Sequence, residues 1–168
     1  MRGGEERRVP GMGRVLARPA LCATYGRPRD HRLVFTNGVF DLLHAGHIRC
    51  LEEARRLGDR LVVAVNSDAS ARRVKGRGRP FQTAGDRAVI LAALRCVDAV
   101  TVFDEDTPLE LIRKLLPDVL VKGSDYGPQE IVGGPDVLAA GGEVHVLPLV
   151  PERSTSRLVT RIRELSDD

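Results

Sequence analysis

The residues most able to do chemistry are two histidines that flank a glycine in the segment TNGVFDLLHAGH, residues 36–47. His44 and His47 are two of only four histidines in the chain. Imidazoles beside the free N–H groups of a helix N-terminus form a binding site for phosphate. Gly38 allows a tight turn and a close backbone approach, and Gly46 removes a Cβ where a ligand would meet the helix. The segment therefore predicts a phosphate site. A pair of helix-capping histidines that binds nothing is the simpler alternative.

Further polar residues follow later apolar runs. Lys122 follows Val119–Val121, and because an unpaired buried lysine is costly, we expect it to face phosphate, with Asp125 as its partner. Asp68 follows the run at 61–65 and either contacts a sugar hydroxyl or caps the next helix. Asp41 either braces its turn or takes part in function.

Two common phosphate motifs and a zinc site are excluded. The chain has no GxxxxGK[ST], the P-loop motif. It also has no GxGxxG, the dinucleotide-binding motif, after the first strand, and Gly76-Arg77-Gly78 lies instead in a loop after a helix. The three cysteines, Cys22, Cys50 and Cys96, form no CxxC or Cys/His cluster. We therefore expect reduced thiols that pack like small apolar residues.

Strand and helix patterns alternate from residue 32 onwards. Strands are predicted at 33–36, 61–65, 99–103, 119–121 and 144–147, and helices at 47–57, 86–94, from 107, at 130–140 and from 154 or 155 to about 165. Thr107 is the expected N-cap of its helix, with Pro108 in the first turn. The alternation predicts a single α/β domain with a doubly wound, parallel, five-stranded sheet, whose carboxyl edge collects the polar residues.

The composition separates an N-terminal segment from the rest of the 168-residue chain. Residues 1–31 are rich in Arg, Gly and Pro and lack periodicity, so we expect a disordered extension before a domain at 32–168. Residues 1–32 hold eight Arg against three acidic residues, whereas the remainder has 18 basic and 20 acidic residues. With aromatic residues at 4%, the domain is not expected to bind nucleic acid. Without a membrane span or a signal peptide, we expect a cytoplasmic protein.

The segment NGVFDLLHAGH resembles the HxGH nucleotidyltransferase superfamily of cytidylyltransferases and small adenylyltransferases, over about residues 33–164. Together with VAVNSD, KGRGRP, DVLVKGSDY, IVGG and GGEVHVLPL, it is most similar to the adenylyltransferases that make ADP-heptose from heptose 1-phosphate. Such domains are often fused to a sugar kinase. Only about thirty residues precede this one, so no kinase is expected.

The resemblance implies a Rossmann-like fold and a role for each matching residue. His44, His47 and Lys122 would be catalytic, and the backbone of Gly38, Val39 and Phe40 would line the nucleotide pocket. The nucleotide-binding group also includes Gly46, Ser154, Thr155 and Ser156, and the substrate- or phosphate-binding group includes Lys75, Arg79, Arg87, Asp68 and Asp125. For Arg87 a surface ion pair with Asp86 or a glutamate is the alternative, and for the Ser-Thr-Ser segment a plain helix cap.

The same resemblance implies ATP as a substrate, Mg²⁺ held mainly by nucleotide phosphates, and a homodimer through residues 95–98. Two other functions stay open. A cytidylyltransferase for glycerol 3-phosphate or a similar alcohol phosphate would more commonly carry a GDDW-like stretch in place of VKGSDY. A non-catalytic nucleotide-binding module would bind ATP without turnover.

Overall fold

A six-stranded parallel sheet forms the centre of the part of the chain that the structure, a computed structural model, describes: residues 13–123, 131–148 and 155–166. Its strands are β1 (Arg14–Val15), β2 (Leu33–Gly38), β3 (Arg60–Asn66), β4 (Ala99–Phe103), β5 (Val119–Gly123) and β6 (Glu143–Leu147). The helices are α1 (Arg18–Tyr25), α2 (Ala45–Arg56), α3 (Asp68–Lys75), α4 (Ala84–Ala92), α5 (Leu109–Leu115), α6 (Gly134–Ala139) and α7 (Thr155–Ser166). The predicted α/β class and parallel sheet are confirmed, with one strand more than the predicted five.

The strand order, β1-β4-β3-β2-β5-β6, places a crossover at the middle of the sheet. After β2 the chain adds β3 and β4 on one side and then crosses to add β5 and β6 on the other. In such open sheets ligands bind in the crevice outside the carboxyl ends of the strands where the order reverses. Here that position lies between β2 and β5, where Thr36 pairs with Val121.

Apolar side chains on both faces of the sheet build two core layers. Leu33 and Phe35 of β2 belong to the layer that includes residues of α1 and α5, whereas Val34 belongs to the layer that includes residues of α2 and α4. Because neighbouring residues of a strand point to opposite faces, helices cover the sheet on both sides. This burial explains the continuous apolar runs in the strands.

Residues 13–31 fold onto the sheet, which corrects the prediction of disorder for residues 1–31 over this part. Strand β1 pairs in parallel with β4, with Arg14 opposite Ala99. Helix α1 has Pro19 in its first turn and buries Leu21 and Tyr25 against the core. Besides these apolar anchors, arginines of the segment bind the rest of the fold: Arg18 pairs with Glu105 and Arg29 with Asp118. Residues 1–12 lie outside the described residues.

Two predicted helix caps are wrong. Helix α5 begins after Pro108 as its N-cap, without a side-chain cap, so Thr107 does not have that role. Helix α3 begins after Ser67, whose hydroxyl accepts a hydrogen bond from the Ser70 N–H. Asp68 is therefore the first residue of α3 rather than its cap.

Helix α6 is shorter than the predicted helix at 130–140. Its N-cap, Gly133, has a φ of +80°, and a Cβ there would come within 2.8 Å of the Ile112 side chain. A residue with a side chain would be strained at this point. Because the left-handed conformation of Gly133 is not helical, the helix begins only at Gly134. None of the described helices combines the length and apolar character that a membrane crossing requires.

Candidate functional site

The two histidines meet at the start of α2, directly outside the carboxyl end of β2. His44 is the N-cap of α2 in an extended conformation, and the His47 N–H donates to the His44 carbonyl over 2.9 Å. Their rings stack with centroids 3.8 Å apart and an angle of 23° between planes. The HxGH spacing thus puts both imidazoles at one helix end, where the helix dipole favours an anion.

Burial sets the charge of His47. It lowers the His47 pKa to about 4, with the neighbouring His44 as a second, smaller cause. Without a ligand His47 is therefore neutral at pH 7. Its Nδ1 is buried and has no hydrogen-bond partner among the described residues. A bound phosphate would favour the protonated ring and supply an acceptor.

The turn that leads from β2 to the histidines has an uncommon backbone conformation. Phe40 has a φ of +50°, a left-handed conformation that a bulky residue rarely adopts. Its ring meets the His47 ring edge-on, with centroids 5.4 Å apart. A Cβ at Gly38 would come within 3.1 Å of the Phe40 ring. The group that lies close to the Gly38 backbone in this structure is therefore the Phe40 ring. Gly46 is buried in the first turn of α2.

Asp41 ties this turn to the segment before α4. One carboxylate oxygen accepts from the Phe81 N–H over 2.7 Å and from the Gln82 N–H over 3.1 Å. The other accepts from Arg79 Nη1 over 3.0 Å. Only 5% of the Asp41 side chain is exposed. Of the two interpretations of Asp41, bracing of the turn is the one that these contacts support.

The two basic residues predicted on the glycine-rich loop have different surroundings. The Arg79 guanidinium pairs with Asp41 and lies 4.4 Å from the centroid of the Phe81 ring. Lys75 is the last residue of α3 and is exposed. Its charge is the second cause, after burial, of the lowered Lys122 pKa.

Lys122 lies near the end of β5, beside the turn after β2. Its Nζ donates to the Asn37 carbonyl over 3.3 Å. Burial, and secondarily the charge of Lys75, lower its pKa to about 8. The amino group is thus mainly protonated at pH 7, and an arriving phosphate would stabilise its charge. Asp125, the predicted partner of Lys122, lies outside the described residues.

Arg87 is buried rather than on the surface, so the alternative of a surface ion pair is wrong. Its guanidinium donates to Asp68 Oδ1 over 2.7 Å, to the Val39 carbonyl over 2.6 Å and to the Gln82 carbonyl over 3.0 Å. Asp86, the suggested partner, accepts instead from the Thr83 hydroxyl. Asp68 is a half-buried partner of Arg87 at the carboxyl end of β3.

The start of α7 lies beside the segment that leads from β2 to His44. The Thr155 hydroxyl donates to the Leu42 carbonyl over 3.2 Å, and Ser156 is exposed in the same turn. Ser154 lies outside the described residues. The structure therefore brings Thr155 to the carboxyl edge that the sequence predicts for it.

The described candidates lie at the carboxyl edge of the sheet, in two kinds of environment. We call the histidines, Lys122 and Lys75 the basic cluster, because the two rings stack and the charge of Lys75 helps to lower the Lys122 pKa. Arg79 and Arg87 instead bind protein acceptors. The sequence analysis missed Phe81 and Gln82, whose backbone N–H groups hold the turn, because their residue types gave no signal of this.

Among the described residues no group of three or more His, Cys, Asp and Glu side chains could hold a metal ion.

Comparison with known proteins points to one family. A family model described as cytidylyltransferase-like matches residues 35–160. The bifunctional protein HldE of Azorhizobium caulinodans is 52% identical over 153 residues, covering 90% of this chain and 32% of that protein. The protein of the same name from Edwardsiella ictaluri is 56% identical over 142 residues, covering 84% and 30%. The chain spans about a third of the length of these relatives.

Solved structures share the fold. The lipopolysaccharide core biosynthesis protein from Thermoplasma volcanium superposes with a TM-score of 0.60 at 29% identity, covering 72% of this chain and 98% of that one. Pantoate-beta-alanine ligase from Francisella tularensis has a TM-score of 0.58 at 15% identity, covering 86% and 69%. The second likeness concerns the fold alone.

Proposed function

The chain belongs to the cytidylyltransferase-like family of nucleotidyltransferases, and from this premise we propose that it transfers AMP from ATP to a heptose 1-phosphate, giving ADP-heptose and pyrophosphate. The observation that carries the proposal is the stacked pair His44 and His47 at the β2–β5 crevice, with Lys122 on the neighbouring strand. The choice of heptose 1-phosphate as the acceptor rests on the motifs that resemble those of ADP-heptose-forming enzymes. The name of the Thermoplasma volcanium neighbour, a lipopolysaccharide core biosynthesis protein, agrees with a sugar-nucleotide product.

In the proposed reaction, a phosphate oxygen of the sugar phosphate attacks the α-phosphorus of ATP in line. A new P–O bond forms, the bond from the α-phosphorus to the bridging oxygen of the β-phosphate breaks, and the electron pair leaves with pyrophosphate. A phosphate monoester is already a nucleophile, so no serine or cysteine has to be activated. Catalysis then consists of positioning and of stabilising negative charge.

The basic cluster supplies that stabilisation. His44 and His47 donate to phosphate oxygens of the bound nucleotide, and Lys122 approaches from β5. Because phosphate favours the protonated forms, binding raises the pKa of His47 from about 4 and that of Lys122 from about 8. The helix N-terminus at His44 adds its dipole. The positive charges of His47 and Lys122, which burial disfavours in the free protein, become favourable when the triphosphate binds.

Other residues select and hold the substrates in this proposal. The backbone of Val39 and Phe40 lines the nucleotide pocket, and Thr155 and Ser156 place hydroxyls at the start of α7. Lys75 binds phosphate from α3. Phosphate oxygens and water would be the main ligands of Mg²⁺, which would enter with the nucleotide and supply charge compensation for the leaving pyrophosphate. The basic character of the cluster fits a cation that enters with phosphate rather than alone.

We include a homodimer in the proposal, through residues 95–98. Val97 is buried, and Asp98 pairs with Arg55 and Arg60 within the chain. Arg95 is exposed and is therefore the residue of this segment that a partner chain could contact. Light scattering at several protein concentrations tests the dimer. A mass of one chain at every concentration would remove it from the proposal.

A matrix of nucleotides against phosphate acceptors tests the function. Purified protein is incubated with Mg²⁺, with ATP or CTP, and with heptose 1-phosphate, glycerol 3-phosphate or another sugar phosphate, and pyrophosphate is measured. We expect the fastest release from ATP with heptose 1-phosphate. Preference for CTP and glycerol 3-phosphate would replace the proposed substrates with the cytidylyl alternative. Tight ATP binding without release from any pair would indicate a non-catalytic module.

A further inference from the structure

Arg87 is the largest fully buried side chain in the described part of the chain. Its side-chain atoms have no exposure, although the residue lies in the first half of α4 and carries a permanent charge. A guanidinium at this depth is tolerated only when a countercharge and hydrogen-bond acceptors surround it. What surrounds Arg87 therefore indicates what it is for.

Three separate segments supply the acceptors of Arg87. Nη2 donates to Asp68 Oδ1 in the first turn of α3, over 2.7 Å. Nη1 donates to the Val39 carbonyl in the turn after β2, over 2.6 Å, and Nε donates to the Gln82 carbonyl before α4, over 3.0 Å. The planar guanidinium holds its donors in a fixed geometry, so these three segments are fixed relative to one another.

The segment that most needs fixing is the turn at Val39–Asp41. Phe40 has a φ of +50°, which a bulky side chain adopts only when its surroundings enforce it. Arg87 binds the carbonyl on one side of Phe40, and Asp41 binds the Phe81 and Gln82 N–H groups on the other. The Phe40 ring in turn meets the His47 ring, with centroids 5.4 Å apart.

We propose that Arg87 is a positioning residue: through the Val39 carbonyl it holds the left-handed turn that sets Phe40 against His47. The proposal rests on the proposed transfer reaction for its effect on turnover. Arg87 is closed off from the crevice and acts through the turn, without contacting substrate. This differs from the phosphate-contacting role that the family resemblance implies for it.

The test compares Arg87→Lys with a matched control at the opposite edge of the sheet, Arg29→Lys. Arg29 is also nearly buried, and it also binds a carboxylate and backbone carbonyls, those of Asp118, Leu115 and Leu116. Lysine keeps the charge in both variants but loses the planar set of donors. The readouts are the imidazole titration of His47 by NMR, and kcat and KM for pyrophosphate release.

We expect Arg87→Lys to raise the His47 pKa from about 4 towards 6.5, because the ring loses part of its burial. We also expect kcat to fall about 10- to 100-fold, as for a small displacement of catalytic groups, with KM for the sugar phosphate nearly unchanged. Arg29→Lys should leave the His47 titration and kcat as in the wild type. A wild-type titration and kcat in Arg87→Lys would overturn the proposal. So would a rise in KM alone, which indicates direct substrate contact.

A second variant keeps the test decisive if Arg87→Lys does not fold. Asp68→Asn retains an oxygen acceptor but removes the countercharge, and it should shift the His47 pKa and kcat in the same directions by smaller amounts. Wild-type behaviour of Asp68→Asn in both would then contradict the proposal. The titration needs no turnover, so it tests Arg87 even if the wild-type protein releases no pyrophosphate, a result that would count only against the proposed function.

Discussion

The imidazole rings of His44 and His47 stack 3.8 Å apart at the start of α2. Two protonated rings this close would repel each other, and burial of His47 adds to the cost of its charge. An anion bound at the helix N-terminus would offset both penalties. A phosphate group and the protonated state of the rings would therefore stabilise each other at this pair.

Replacing His47 with alanine should lower kcat for pyrophosphate release by about 10²–10³-fold, because a donor to the reacting phosphates is lost. Circular dichroism and thermal unfolding should show an intact fold. The matched control is His145→Ala on β6, where the histidine pairs with Glu143, and this variant should keep its turnover. Normal turnover in the His47 variant would remove the residue from the mechanism.

The rate should depend on pH through Lys122. In the free protein its pKa is about 8, so kcat/KM should fall as the pH rises above 8 and the amino group loses its proton. Lys122→Arg keeps the positive charge at higher pH and should move this fall upwards, whatever its effect on the maximum. Lys114→Arg on α5 is the control. An unchanged alkaline limb in the Lys122 variant would assign it to another group.

Stability at mildly acidic pH should depend on His47. Its pKa is about 4 in the folded protein against an ordinary 6.5, so between these values the unfolded chain binds more protons. The free energy of unfolding should therefore decrease as the pH falls from 6.5 to 4. His47→Gln should reduce this loss by about 1–2 kcal/mol, since the ring is only partly buried. Urea unfolding at several pH values measures it, and identical profiles would contradict the assigned burial.

Asp41→Ala should destabilise the protein by about 2–4 kcal/mol, because it leaves two backbone N–H groups and the Arg79 guanidinium without their acceptor. Turnover should fall as well, since the turn before His44 loses its brace. Asp106→Ala removes a surface pair with Arg73 and should cost about 0–1 kcal/mol. Equal stability losses in the two variants would mean that Asp41 does not brace the turn.

The places of the candidate residues in the fold were easier to predict from the sequence than the contacts that hold them. Strand β4 and the junction of β2 with α2 follow from apolar runs and from the HxGH segment, which are local signals. Arg87 could not be interpreted in this way, because its acceptors Val39 and Asp68 are 48 and 19 residues away in the chain. Only the folded sheet brings them together.

The prediction of disorder is wrong for residues 13–31, for a related reason. Strand β1 has two residues, too few for an alternating pattern, and its partner β4 is more than eighty residues away. Pro19 at the start of α1, followed by Leu21 and Tyr25 four residues apart, was the available signal of a helix with one apolar face. The composition of residues 1–31 as a whole concealed it.

A crystal structure with Mg²⁺ and a non-hydrolysable ATP analogue would show whether His44 and His47 bind the phosphates of the nucleotide. We expect phosphate oxygens within about 3 Å of imidazole nitrogens of both residues, at the carboxyl ends of β2 and β5. Phosphates bound elsewhere, or imidazoles turned away from them, would contradict it.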